Sequence, residues 1–210
     1  MDQPAVSLFG QKLQPSLEQL HRYWIENYRQ PGTGDAAVRN SAMMLERMID
    51  KLGCHDPYVL EIGCAAGHNL QHLQALGMHR LSGIEINPDA VARLQQDLPE
   101  LFAEARIYNL PVEDVMGLFG DGEFDVVCSV NVLSHIHPDS EWVFSELARV
   151  ATSGLVLVED EHSRSMWDFP RNYRRIFEGF GMAQLHEEAC PAKDGAAESM
   201  LRVFSRQVAR

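Results

Sequence analysis

Val59-Leu60-Glu61-Ile62-Gly63-Cys64-Ala65-Ala66-Gly67-His68-Asn69-Leu70 is the stretch that decides how this chain folds. A short apolar run ends in glycine, and a helical pattern begins after a turn of small residues. A strand that enters a glycine-bearing turn and then a helix lets main chain approach a ligand where a side chain would collide. Residues 81–86 read as the next strand and carry Glu85 near their end, 22 positions beyond Gly63. A carboxylate at the tip of a neighbouring parallel strand is placed to accept both hydroxyls of a ribose. The two halves together point to a nucleoside-bearing ligand.

The alternation continues outward from this unit. Residues 105–108 read as a weak third strand, Phe124-Asp125-Val126-Val127-Cys128-Ser129-Val130 as a buried fourth, and Leu155-Val156-Leu157-Val158 as a fifth. Helical patterns separate them at residues 68–76, at 90–97 with Asn87 as cap and Pro88 in the first turn, and after Pro138-Asp139-Ser140-Glu141. Strands alternating with helices in this way predict βαβ units and a largely parallel sheet covered on both faces. The tail departs from the pattern. After a helix at 172–179, strands at 182–187 and 199–205 joined by Lys193-Asp194-Gly195 predict a hairpin at one sheet edge.

Residues 1–54 are expected to form an N-terminal helical segment or lid packed on the core, and 55–210 the core itself. Leu17, Leu20, Tyr23, Trp24 and Tyr28 fall at helical spacing over 16–28. Pro31-Gly32-Thr33-Gly34 breaks that helix, and a second runs to Leu52 with Gly53 placed to end it.

Composition bounds the function. With 210 residues, 45% hydrophobic and 23% charged, the chain suits one globular α/β domain. A net charge of −12 argues against nucleic acid as partner, since such binders present a basic footprint. Arg171, Arg174 and Arg175 form the one basic cluster and are expected on a solvated helix face. Cysteines 54, 64, 128 and 190 lack the paired spacing of a disulfide framework or zinc knuckle, and Cys64 and Cys128 read as small core residues. The N-terminus has no basic flank leading into an apolar run, and no segment is long and apolar enough to span a bilayer. The expected location is the cytoplasm, the expected partner a small molecule without nucleic acid or membrane, and a homodimer is compatible with all of this.

The choice of nucleoside turns on glycine phase. A dinucleotide fingerprint wants glycine at the first, third and sixth positions from Gly63, where this chain has Gly63, Ala65 and His68. That disfavours NAD, although an NAD-dependent oxidoreductase stays open as an alternative, as does a non-catalytic cofactor-binding or scaffold protein. A phosphate-loop NTPase is excluded because no Lys-Ser/Thr follows the glycines.

The segment 59–70 resembles the first motif of class I S-adenosylmethionine-dependent methyltransferases. Gly83-Ile84-Glu85-Ile86-Asn87 resembles the second, with Glu85 on the ribose-binding position. Residues 124–129 resemble the fourth strand of that family, 154–158 the fifth, and Gly179-Phe180-Gly181-Met182 the turn into the late strands. The resemblance covers about residues 55–207. It implies a Rossmann-like three-layer sandwich with strand order 3-2-1-4-5-7-6 and strand 7 antiparallel. It also implies S-adenosylmethionine as cofactor and methyl transfer to O or N of a small or medium-sized acceptor. By the same resemblance Glu61 orients the loop or the methionine amino group, and the Gly63 and Cys64 backbones meet the methionyl part. Ala65 stands where glycine is usual, tolerable if its φ stays negative, and Gly67 and Ile86 complete the cofactor set. Pro111 takes the usual acidic position near adenine, leaving the contact to Val112 and Glu113.

Ligands of open parallel sheets bind beyond the carboxyl ends of the strands. Three segments are expected there. The first, Asn131-Val132-Leu133-Ser134-His135-Ile136-His137, offers His135 as general base and Asn131 as a hydrogen-bonding partner, with His137 read as a helix-capping or surface residue. The second, Glu159-Asp160-Glu161-His162 with Trp167 beyond, offers Glu159 and His162 toward an amine-bearing acceptor or a solvated loop. A divalent metal is not expected, because Asn131 stands where its second carboxylate would be. The third is the N-terminal helix, whose Tyr23, Trp24 and Tyr28 are expected with Trp167 either as a substrate wall or as core packing.

Overall fold

The computed structural model describes residues 14–27, 36–190 and 199–206. In chain order the elements are α1 (Leu17–Glu26), α2 (Ala36–Lys51), β1 (Val59–Ile62), α3 (His68–Ala75), β2 (Leu81–Ile84), α4 (Pro88–Asp97), α5 (Pro99–Glu104) and β3 (Arg106–Tyr108). There follow α6 (Val112–Val115), β4 (Phe124–Val130), α7 (Trp142–Val150), β5 (Ala151–Asp160), α8 (Tyr173–Gly179), β6 (Met182–Cys190) and β7 (Ser199–Arg206). The expected Tyr28 and the Lys193-Asp194-Gly195 turn lie outside the described residues.

The seven strands form one sheet of order β3-β2-β1-β4-β5-β7-β6, parallel except for β7, which runs antiparallel to both β5 and β6. This is the arrangement the sequence resemblance implied. Side chains alternate across the sheet and build two cores. On one face Leu60, Ile62, Val127, Leu155 and Leu157 meet Phe144 and Leu147 of α7 and Tyr173 and Phe177 of α8. On the other Val59, Val126, Cys128, Val156 and Val158 meet Leu45, Met48 and Ile49 of α2, Leu70 and Leu73 of α3, and Leu94 of α4. The cysteines 64 and 128 are buried there as expected.

Register places the site. Ile62 of β1 is level with Ile84 of β2 and with Ser129 of β4, so three central strands end side by side. Everything that follows them in sequence emerges at one rim.

Several elements differ from the sequence-based expectation. The short helices α5 and α6 carry too few residues for a 3.6-residue period to declare itself. Strand β5 begins four residues earlier than expected and runs on through Asp160. Its extension is paired with β7, Glu159 opposite Met200 and Asp160 opposite Ser199. Glu159 and Asp160 are therefore strand residues rather than part of a projecting loop.

Candidate active site

At the rim lies a cavity of about 550 Å³ lined by the β1 and β2 turns, the start of α6, the segment after β4, and α1. Its wall includes Gly63, Ala65, Glu85, Ile86, Val112, Glu113, Asn131 and His135, together with Tyr23 and Trp24 of α1.

The floor is built by the β1 turn. Gly63 has φ +72, and a Cβ there would sit 2.3 Å from Val132 Cγ2, so no other residue fits without movement. Ala65 is a correction to expectation: its φ is +47, in the left-handed region that costs an L-residue about 1–2 kcal/mol. The conformation turns the Ala65 N–H toward Glu85, donating to Oε2 at 2.9 Å. The Cys64 main chain is committed on both sides, its N–H to the Ile84 carbonyl at 3.1 Å and its carbonyl to the Gly67 N–H at 2.8 Å. With the Gly63 N–H also donating to Ile84 O at 2.8 Å, neither residue has its N–H free for a ligand. Cys64 is a strut of the loop and off the cavity wall. Gly67 is off the wall too; its φ of +80 starts α3, and a Cβ would meet Leu94 Cδ1 at 2.8 Å. Helix packing sets that glycine.

Glu85 is buried, and its two oxygens accept from Ala65 N at 2.9 Å and Asn87 N at 2.8 Å. Burial pushes its pKa up, and backbone N–H groups pull it back. A carboxylate has about four acceptor positions, so acceptor capacity remains for a ligand donor. Glu61, on β1, has Oε1 held by Asn69 Nδ2 at 2.6 Å, while Oε2 is buried with no hydrogen-bond partner among the described residues. Burial raises its pKa from 4.5 to about 7. An orphaned buried carboxylate oxygen is costly unless a ligand cation or donor completes it. Glu113 is opposed in its tendencies: burial would raise its pKa, but hydrogen bonds from His21, its own backbone and Ser140 hold it low. His21 Nε2 lies 3.3 Å from Glu113 Oε2, so α1 is tied to the expected adenine side.

Helix α1 roofs the cavity through several attachments. Ser16 and Gln19 form a reciprocal capping box at its start. Just upstream, the Pro15 carbonyl lies 3.0 Å from His137 Nε2, while His137 Nδ1 accepts from Asp139 N at 3.1 Å. His137 is thus the capping residue, one of the two roles the sequence suggested. At the other end Asn87 Nδ2 donates to the Trp24 and Ile25 carbonyls at 2.8 and 2.7 Å. Tyr23 stacks on Trp167 with centroids 4.0 Å apart and planes 8° from parallel. Trp167 therefore supports Tyr23 and does not itself line the cavity.

The segment after β4 is held from below by Glu159. Completely buried, its carboxylate accepts from Ser129 Oγ at 2.7 Å, Val132 N at 3.0 Å and Leu133 N at 3.0 Å. Burial lifts its pKa to about 7 against those hydrogen bonds. With its oxygens turned to the loop, Glu159 does not reach the cavity, which corrects its expected place among reacting groups. His162 is exposed, its N–H donating to Asp160 Oδ1 at 2.8 Å, and it too is off the wall. Asn131 adopts φ +54, and its Oδ1 accepts from Ser199 Oγ at 2.9 Å. Arg171, expected on a solvated face, is instead buried: it donates to the Leu133, Ile136 and Phe169 carbonyls at 3.2, 2.7 and 2.9 Å. Arg174 keeps to its helix, paired with Glu178.

His135 faces the cavity, with its ring 4.2 Å from Trp24. The sequence reading missed its neighbour: Asp168 Oδ1 lies 3.0 Å from Nδ1. The only signal was a carboxylate in Trp167-Asp168-Phe169, too little to find it. Among the described residues there is no metal-ligand cluster and no helix long and apolar enough to cross a membrane.

Residues 60–158 match the sequence family described as "Methyltransferase domain". Among curated proteins, the chain is 28% identical over 146 residues to ajmaline N-methyltransferase of Rauvolfia serpentina, covering 64% of this chain and 49% of that protein. It is 34% identical over 118 residues to 2-methyl-6-phytyl-1,4-hydroquinone methyltransferase of Synechocystis sp., covering 55% and 35% respectively. The chain thus spans half or less of the length of these curated relatives. Among solved structures, 1,6-didemethyltoxoflavin-N1-methyltransferase of Burkholderia thailandensis, with S-adenosylhomocysteine bound, superposes with a TM-score of 0.65 at 17% identity, over 83% of this chain and 80% of that one. Magnesium protoporphyrin IX methyltransferase of Synechocystis gives 0.62 at 17% identity, over 89% and 93%.

Proposed function

We propose that this chain, whose residues 60–158 match a methyltransferase domain, is a class I S-adenosylmethionine-dependent methyltransferase that transfers a methyl group from that cofactor to an oxygen or nitrogen of a small or medium-sized acceptor. One observation carries the reading: a single cavity holds Glu85, with acceptor capacity to spare, and His135, with a ring nitrogen to spare. When bound, S-adenosylmethionine supplies a methyl group on a positively charged sulfur, ready for in-line attack.

The residues present suit that cofactor. Glu85 accepts the ribose hydroxyls, which also offsets the burial that raises its pKa. Glu61 is buried and off the cavity wall, so its part in this reading is to hold the loop through Asn69. Ile86, Val112 and Glu113 border the adenine, and Gly63 and Ala65 leave the floor bare enough for close approach.

On the acceptor side, Tyr23 and Trp24 give an apolar wall, Asn131 retains its amide N–H donors, and His135 takes the acceptor proton. Methyl transfer needs mainly an aligned nucleophile, and the roof provides alignment by excluding water and narrowing the orientations available. The acceptors named for the relatives, a hydroquinone and a demethylated toxoflavin, support a small molecule as substrate here. In this reading α1 acts as a lid on the core, whereas α2 packs within it. The unpaired thiols of Cys54, Cys64 and Cys128 agree with a reducing compartment such as the cytoplasm.

Calorimetry with S-adenosylhomocysteine and with NAD tests the proposal. Binding of the former and not the latter is expected, and the reverse result overturns it. Glu85→Ala should weaken S-adenosylhomocysteine at least about tenfold, the worth of one hydrogen bond to a charged group, with the circular dichroism unchanged.

A further inference from the structure

We infer that Asp168 is a positioning residue that fixes His135 as the Nδ1–H tautomer and so presents the Nε2 lone pair to the cavity. The inference rests on the functional reading above for its purpose, but its geometry stands alone.

His135 Nδ1 has two neighbours, Asp168 Oδ1 at 3.0 Å and the Trp167 carbonyl at 3.2 Å. Both are acceptors, so the hydrogen must reside on Nδ1, and a neutral ring then has its lone pair on Nε2. His137, two residues on, has the opposite arrangement, with Nε2 against a carbonyl and Nδ1 accepting an N–H. The environment of each ring decides its tautomer.

The pairing is built into the fold. Asp168 follows β5 and His135 follows β4, and the two segments are laced together beside the pair. Phe169 N donates to Ser134 O at 2.7 Å. The Arg171 guanidinium, itself buried, gathers carbonyls from both segments and pairs with Glu141 at 2.7 Å. Trp24 lies against the imidazole and limits its rotation.

The charges around the ring have defined signs. Burial pushes the His135 pKa down, and the carboxylates of Asp168 and, further off, Asp160 push it up. From α1, packed over the ring, the titratable side chains on the cavity wall are His21, which is paired with Glu113, and Tyr23, which stacks on Trp167. The net direction is down, so the ring is neutral near pH 7 and able to accept a proton. The acceptor's O–H or N–H proton passes to Nε2 as its lone pair takes the methyl carbon. The carbon–sulfur electron pair stays on sulfur, and the imidazolium, facing Asp168, later releases its proton to water.

Chemically, the pair matters only for an acceptor that arrives carrying a proton it must lose, such as a phenol or a ring N–H. A group already bearing a free lone pair and no acidic proton gains nothing from it.

The test is ring ¹⁵N NMR of histidine-labelled protein against pH, with His135→Gln to identify the resonances. The wild type should show His135 as Nδ1–H. Asp168→Asn should lower its proton affinity about tenfold, the loss expected when an opposite charge in contact is removed, and Asp168→Glu should restore it. A wild-type spectrum showing Nε2–H, or a titration midpoint unmoved in Asp168→Asn while its melting temperature matches wild type, overturns the inference. Failure of the functional reading shows elsewhere, as absent S-adenosylhomocysteine binding in the wild-type protein, with the ring spectrum unaffected.

Discussion

Replacing Glu61 by glutamine should change how the stability of this protein depends on pH. Glu61 is wholly buried, one oxygen bonded to Asn69 and the other without a partner among the described residues, and its pKa rises from 4.5 to about 7 on folding. Unfolded, the group gives up its proton near 4.5; folded, it keeps it to about 7. Between those values the folded state binds more protons, so stability falls as pH rises through the window and is level above it. At 1.36 kcal/mol per pH unit, the loss attributable to Glu61 is about 3 kcal/mol. Glutamine keeps an oxygen for Asn69 and does not titrate. The difference in unfolding free energy, wild type minus Glu61→Gln, should therefore fall by about 3 kcal/mol between pH 4.5 and pH 8. Glu159 titrates over the same range but is present in both proteins and cancels. Urea denaturation at fixed ionic strength measures this, with equal m-values as the check that the unfolded states are comparable. Parallel stability curves for the two proteins would refute the reasoning.

Three further outcomes follow from the same geometry. Gly63→Ala should lose about 2–4 kcal/mol, from left-handed strain and collision with Val132, and adding Val132→Ala should return the collision part in thermal unfolding. Ala65→Gly should stabilise by about 0.5 kcal/mol, since relief of the strain at φ +47 exceeds the added freedom of the unfolded glycine, and a lower melting temperature would contradict this. His137→Ala removes the tie to Pro15, so amide exchange in residues 17–20 should accelerate while β1 and β4 are unchanged; protection that stays equal would show the tie has no hold on α1.

Much of this was legible in the residues, and the reasons are local. Gly63 and Glu85 announce themselves because a turn glycine and a strand-end carboxylate are defined by their immediate neighbours. His137 reads as a cap because Pro138 follows it. What escaped depends on partners distant in sequence. Glu159 looks like a loop residue until β7 pairs with it, and only then do its oxygens face the loop after β4. Arg171 looks solvated until three carbonyls from two segments close around it. Asp168 has no meaning alone; its role comes from lying 3.0 Å from a ring 33 residues earlier. Ala65 was misjudged for another reason: a single alanine in a glycine position does not say whether the loop relaxes or strains, and here it strains.

Strand β7 has a consequence for the order in which the protein is made. It follows β6 in sequence yet lies inside the sheet, with Leu201, Val203 and Phe204 fully buried between β5 and β6. A nascent chain that has emerged only through β6 has β5 open along its edge and β6 with nothing to join. An open strand edge recruits other strands, so during this interval a ribosome-bound chain is exposed to mispairing at β5. Ser199, which bonds Asn131 at the cavity rim, arrives with the same strand. The sheet and the rim are therefore finished together, by the final stretch to leave the ribosome among those that build them.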